Sequence, residues 1–320
     1  MSVDATPTTS SGAGGGAPRK RIVVTGANAG LGYFVSEQLA AMGIRVVLAC
    51  RDLGRAERAA DSIRTRVPNA DLEIVVADLA DLSSLEEASA AIVAGGPVDG
   101  LVANAGVVGS RKRQKTRDGF ELQFGTNHLG HFALISHLLP ALTESEAGRI
   151  VHLGSISHRW ARLDLDDPML VSGYHSYRAY SRSKLAVMSF GFELDRRLRA
   201  SGSRVRSIVA HPGFALENLT EKRPGIVRRR WLPAPAVGFL RTFSQGKDQG
   251  ARPLSYAATA PEVQSGEYWG PDGWFQLTGA PALVKAKKHA RATKTAARLW
   301  NLSSRLTRVQ PVIESSPARR

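Results

Sequence analysis

Thr25-Gly26-Ala27-Asn28-Ala29-Gly30-Leu31-Gly32 is the stretch on which the fold turns. It ends a short β-branched run, Arg21-Ile22-Val23-Val24-Thr25, and a helical pattern over 31–42 follows at once. A strand that runs into glycines and opens directly into a helix is the first half of a βαβ unit. Each glycine has a physical task. Gly26 permits the sharp turn out of the strand, Gly30 lets the backbone approach a diphosphate, and Gly32 lets helix and sheet pack closely. The helix start then offers unpaired N–H groups and the positive end of its dipole to an anion. Thr25, Gly26, Asn28, Gly30, Leu31 and Gly32 are therefore candidate ligands of a dinucleotide.

Downstream, the alternation repeats. Apolar runs at 45–49, 73–77, 100–103, 149–153 and 204–210 read as strands, with helical patterns over 54–66, 83–93, 118–143 and 178–201. Strands alternating with helices build a parallel sheet. Runs that are apolar at nearly every position place both of its faces in the interior. The expected fold class is α/β: a Rossmann-type doubly wound parallel sheet flanked by helices, in a single domain over 19–307. The Ser-, Thr-, Gly- and Ala-rich residues 1–18 are expected to form a disordered tail, and 308–320 a second one. The segment 214–250, with Pro224, Pro233 and Pro235 among its glycines, reads as a substrate-binding flap carrying one or two short helices.

Composition narrows the function classes. Of 320 residues 43% are hydrophobic, enough for an ordinary core, and Cys50 is the single cysteine, so no intrachain disulfide forms. No apolar run reaches the roughly 18 residues of a membrane span, and the N-terminus lacks the apolar segment of a signal peptide. A cytoplasmic protein with no integral membrane segment is expected. The net charge of +15 gathers modestly at Arg111–Arg113, Arg228–Arg230 and Lys285–Lys288. Without zinc-ligand spacing or an RNA-binding signature, it reads as solvated surface and no nucleic-acid partner is expected. No metal is expected either, since His128, His131, His137 and His152 lack accompanying carboxylates or cysteines and read as packing or surface residues.

The second strand ends Ala49-Cys50-Arg51-Asp52. A basic residue there accommodates a 2′-phosphate, whereas an acidic one holds a 2′-hydroxyl. Arg51 makes NADP(H) the preferred cofactor, and Asp52 keeps NAD(H) open.

At this point the motifs resemble the short-chain dehydrogenase/reductase family, in one order from about Arg21 to Gly270. The turn Thr25-Gly26…Gly30…Gly32 is similar to the family's glycine pattern. Asp78, followed by Leu79, stands where the family has the Asp that contacts adenine. Asn104-Ala105-Gly106 resembles the Asn-Ala-Gly after the fourth strand. Asn127 in Asn127-His128-Leu129-Gly130, Ser155 after the fifth strand, and Tyr180 with Lys184 match the four catalytic positions. His211-Pro212-Gly213 resembles the segment bordering the nicotinamide. The 25 positions from Ser155 to Tyr180 and the Cys-Arg-Asp strand end resemble the retinol-dehydrogenase and protochlorophyllide-reductase-like branch. The resemblance implies a homo-oligomer and a small-molecule alcohol or carbonyl substrate, bulky and apolar. Two positions depart from the pattern. Ala29 stands where NADP-using members often carry Arg or Lys, and Leu216 and Glu217 stand near a Thr that commonly contacts the cofactor.

The chemistry of these residue types agrees with the resemblance. Tyr180 is the candidate acid/base of a hydride transfer, with a free phenol pKa near 10. Lys184, one helical turn on, is expected to lower that pKa and to reach the nicotinamide ribose. Ser155 would stabilise charge on the substrate oxygen, and Asn127 would hold a water beside Lys184. The alternative on the same fold is a non-catalytic dinucleotide-binding regulator or scaffold. Nearer the C-terminus, Trp274 and Phe275 read first as core residues, with pocket closure or a subunit contact as alternatives. Leu299 and Trp300 read as anchors of an amphipathic helix over 290–306.

Overall fold

The computed structural model describes residues 19–109, 111–227 and 234–314, so the expected N-terminal tail lies outside the described residues. The strands are β1 (Arg21–Thr25), β2 (Arg45–Cys50), β3 (Leu72–Val76), β4 (Gly100–Ala103), β5 (Arg149–Leu153), β6 (Arg206–Ala210), β7 (Tyr268–Pro271) and β8 (Pro281–Leu283). They form one sheet in the order β3-β2-β1-β4-β5-β6-β7-β8. Every neighbouring pair is parallel except β7 with β8. The helices are α1 (Gly30–Ala41), α2 (Leu53–Arg66), α3 (Leu82–Ala94), α4 (Leu122–Phe124), α5 (His131–Glu144), α6 (Ser176–Ala200), α7 (Ala234–Phe243), α8 (Lys247–Thr259) and α9 (Thr293–Thr307).

The two faces of β1 show why the apolar runs are continuous. Ile22 and Val24 join a core with Phe34 of α1, Ile63 of α2 and Leu254 of α8. Val23, pointing the other way, joins a second core with Leu85 of α3, Leu134 of α5, Ala186 of α6 and Trp300 of α9. Side chains alternate across a strand, so a strand buried on both sides must be apolar throughout. Each such aliphatic side chain stabilises the fold by about 1.5–3 kcal/mol relative to exposure. Leu299 and Trp300 are buried as expected, and the Arg197 guanidinium lies 4.2 Å from the Trp300 ring centre.

Four features differ from the sequence reading. The helix expected over 118–143 begins at Leu122 and widens into a π-helical turn, Gly125–Gly130, before α5. β7 and β8 add two strands that have no periodicity of their own. Val309 and Ile313, in the expected C-terminal tail, instead pack against the core, while 315–320 lie outside the described residues. Trp274 and Phe275 are 66% and 60% exposed rather than core, because Gly273–Gln276 form a surface turn in which Phe275 and Gln276 both take positive φ, 50° and 62°.

β1 lies between β2 and β4, so the chain leaves it in opposite directions on its two sides. In an open α/β sheet that divergence leaves a crevice at the carboxyl ends of the strands.

Candidate active site

A cleft of about 430 Å³ opens at that crevice. Thr25, Gly26, Asn28, Gly30 and Leu31 line one end, and Tyr180 and Lys184 line the other. Arg51, Asp78, Leu79, Asn104, Ala105 and Gly106 also line it. Gly32, Ser155, Asn127, Pro212 and Gly213 do not line this cleft; the first three sit beside residues that do.

The phosphate end is built from backbone. Gly26 and Gly30 take φ of +66° and +60°, which side chains disfavour. A Cβ at Gly32 would fall 2.3 Å from the Gly26 carbonyl oxygen and 2.5 Å from Asn104 Nδ2. Gly32 therefore holds the turn shut from behind rather than touching a ligand. The N-cap of α1, Ala29, supplies no side-chain acceptor, and the first turn holds no acidic residue. Its first N–H groups thus remain available to an anion. Arg51, just past β2, and Arg55, in the first turn of α2, both line the cleft. Asp52 is the N-cap of α2, its Oδ1 accepting the Arg55 N–H at 2.9 Å. Cys50 lines the wall with its thiol pushed up to about 11 by burial, an unreactive state. Asp78 accepts the Ala80 N–H at 3.0 Å, which fixes the turn beside Leu79.

The chemical end is built from side chains delivered by three elements. Tyr180 and Lys184 come from successive turns of α6. Lys184 is fully buried and donates from Nζ to the Leu153 carbonyl at 3.0 Å. Burial pushes its pKa down to about 8. Burial raises the Tyr180 phenol, with a hydrogen bond to Ser155 pulling the other way. The expected lowering of Tyr180 by Lys184 is not found: burial sets the direction, and it is Ser155, not Lys184, that opposes it. Ser155 follows β5, accepting from the Ser157 N–H at 3.2 Å and the Ser157 hydroxyl at 3.0 Å. Its carbonyl accepts from His158 Nδ1 at 2.6 Å, and His158 Nε2 accepts the Lys287 N–H at 3.3 Å. The C-terminal segment thereby braces the Ser155 loop. Gly213 takes a φ of +66° and lies against the Leu277 carbonyl, where a Cβ would fall 2.2 Å away, and the Pro212 carbonyl accepts from Gln245.

Asn127 sits in the π-helical turn, an irregularity that recurs at functional sites. Its Oδ1 accepts the Val107 N–H at 2.7 Å, and its Nδ2 donates to the Val107 carbonyl and the Ser183 hydroxyl. These contacts brace the cleft wall at Val107. Its own carbonyl accepts from His131 Nδ1 at 2.9 Å, and His131 Nε2 meets Thr25 Oγ1 at 2.9 Å. The hydrogens of this chain follow from valence. A carbonyl only accepts, so Nδ1 carries the hydrogen. Burial, with a smaller contribution from the Lys184 charge, holds His131 down to about 4, so the ring is neutral and Nε2 accepts. Thr25 donates to it while accepting from the Asn104 and Ala105 N–H groups, each at 2.9 Å. His131, read from sequence as a packing or surface residue, ties the two ends of the cleft together. Lys247, Arg55 and Val108 also line the cleft and carry no local motif that would have marked them.

A family model described as short chain dehydrogenase matches residues 20–224. The chain belongs to the short chain dehydrogenase family. Retinol dehydrogenase 13 of Homo sapiens is 37% identical over 305 residues, 94% of this chain and 88% of its own length. Polyprenol dehydrogenase of Mus musculus is 35% identical over 299 residues, 91% of this chain and 84% of its own. A crystal structure of an uncharacterised protein from Mycobacterium paratuberculosis matches with a TM-score of 0.74 at 36% identity, covering 92% of this chain and 95% of that one. This short chain dehydrogenase lies in the retinol-dehydrogenase-like branch and is an oxidoreductase that acts on alcohol or carbonyl substrates with a nicotinamide dinucleotide as hydride acceptor or donor. The uncapped α1 terminus and the two positive-φ glycines fit the diphosphate of that cofactor. Among the described residues no helix is long and apolar enough to cross a membrane.

Proposed function

We propose that this enzyme prefers NADP(H) and interconverts a bulky apolar alcohol with its aldehyde or ketone, using Tyr180, Lys184 and Ser155 at the reacting oxygen. The observation that carries the proposal is the shared cleft: Tyr180 and Lys184 line the same cleft as the glycine turn. Bound there, nicotinamide supplies or accepts the hydride. Tyr180 gives the oxygen its proton in reduction and removes it in oxidation. Ser155, already within hydrogen-bonding reach of Tyr180, donates to the same oxygen as charge develops. Lys184 places an ammonium behind the phenol, and as a pocket fills and water leaves, its attraction for phenolate grows. Asn127 acts as a positioning residue by fixing Val107 and Ser183.

Arg51 just past β2 and Arg55 in the first turn of α2, with Asp52 engaged as a helix cap, support a 2′-phosphate over a 2′-hydroxyl. An apolar substrate is supported by Val108 in the cleft and by the exposed Phe214 and the Trp274–Phe275 pair of the neighbouring turn, with ring centres 4.4 Å apart. The relatives named for retinol and polyprenol dehydrogenase activities point the same way, toward long isoprenoid alcohols.

Tyr180→Phe decides the matter. Turnover with an apolar aldehyde and NADPH should fall about 10³-fold, the usual worth of general acid–base catalysis, while NADPH affinity by fluorescence stays within twofold. Retained turnover would remove Tyr180 as the acid.

A further inference from the structure

Lys247, the first residue of α8, reaches over the glycine turn from an element far away in sequence. A Cβ on Gly30 would fall 3.5 Å from its Nζ. It lines the main cleft, and it also lines a polar cavity of about 380 Å³ on the outer side of the turn, with Arg55, Arg58 and Glu217. Its ammonium is ion-paired with the Glu217 carboxylate. Both side chains are partly exposed, at 27% and 30%.

The backbone of Lys247 is fixed in this place. Its N–H donates to Thr220 Oγ1 at 2.9 Å, and the next carbonyl, that of Asp248, accepts from Gln38 of α1 at 2.9 Å. α1 is the helix whose N-terminus offers its free N–H groups to the cleft, so the ammonium is preset against the anion position. Glu217 is delivered differently, by the short turn Glu217–Leu219 that begins the flap. It puts a carboxylate beside a site shaped for a diphosphate, which repels it. Lys247 masks that charge until a stronger anion arrives. A diphosphate carries two negative charges and can take the ammonium from a single carboxylate across a distance of a few ångströms.

We propose that Lys247 is a diphosphate ligand held in reserve by Glu217, so that the flap and the dinucleotide compete for one ammonium. This rests on the dinucleotide lying at the glycine turn. It predicts effects of opposite sign from the two halves of one ion pair. Lys247→Met should weaken NADPH binding about tenfold and flatten its salt dependence, while Lys247→Arg restores most of the affinity. Glu217→Gln should tighten NADPH binding about threefold, because it removes both the competitor and the repulsion. The measurement is equilibrium titration of NADPH fluorescence with each purified full-length variant, with circular dichroism melting as a check of folding. If Glu217→Gln weakens binding as Lys247→Met does, or if neither moves it, the pair is a structural brace and the proposal is overturned. If wild-type protein and Lys247→Met both fail to bind any dinucleotide, the cofactor site itself is misplaced. The wild-type titration thus separates that failure from the failure of the competition.

Discussion

The two ends of the cleft solve different problems with different materials. The phosphate end is made almost wholly of backbone: two glycines at positive φ, a helix terminus without a side-chain cap, and a third glycine with no room for one more carbon. The chemical end is made of ionisable side chains, above all a lysine 4% exposed and a half-buried phenol whose pKa desolvation raises. Shape limits the first end, and electrostatics strains the second. The contrast teaches that adding atoms should ruin one end, and removing a charge should relax the other.

Gly32→Ala tests the first half and should have the largest effect. Its methyl would overlap the Gly26 carbonyl, which belongs to backbone and cannot rotate aside. Destabilisation of about 3 kcal/mol or more, with loss of NADPH binding, is expected from denaturant melts and titration. A well-folded variant with normal affinity would show that the turn is softer than its geometry.

Lys184→Met tests the second half, and the expected sign is the reverse. Burial lowers the Lys184 pKa from 10.5 to about 8, so the folded protein binds fewer protons than the unfolded chain between those values. Stability attributable to this group therefore rises with pH across about 8 to 10.5, and its penalty is fully present below pH 8. At pH 7, without dinucleotide, the Met variant should be more stable by about 2–3 kcal/mol, and it should lack the alkaline rise of the wild type. Turnover should be nearly abolished. A variant both inactive and less stable would mean that the ammonium's bond to the Leu153 carbonyl outweighs its desolvation.

The smallest effect concerns tuning at the phosphate end. Arg51→Asp should shift the ratio of NADPH to NADH affinity by about 1–3 kcal/mol toward NADH, read by paired titrations, with the melt unchanged. An unaltered ratio would leave Arg55 as the discriminating residue.

The same contrast explains what the sequence made readable. The phosphate end is local: strand, glycines and helix start lie within a dozen residues, and the continuous apolar runs of β1, β2, β4 and β5 announce a sheet buried on both faces. Tyr180 and Lys184 were readable because one helix carries both at a four-residue spacing. β7 was not, since its four residues include Gly270 and Pro271. Its glycine is explained only by His211, the residue after β6, whose Nε2 lies 2.0 Å from where a Cβ would stand. β8 has three residues and exists as the partner of β7. Lys247, His131 and the bracing His158 were not readable as site residues for one reason: each acts through a contact more than a hundred positions away or through its own backbone turn, which no local pattern encodes.

The hydrogen-bonded chain from Thr25 through His131 to the Asn127 carbonyl has every donor matched and every lone pair it needs filled. Such a chain carries load but no current. To pass a proton along it, the Asn127 carbonyl would have to take the Nδ1 hydrogen for its own, which an amide oxygen does not do, or an imidazole held well below its ordinary pKa would have to charge in the interior. The strut is an insulator. Whatever route the Tyr180 proton takes to solvent, it does not run along this strut.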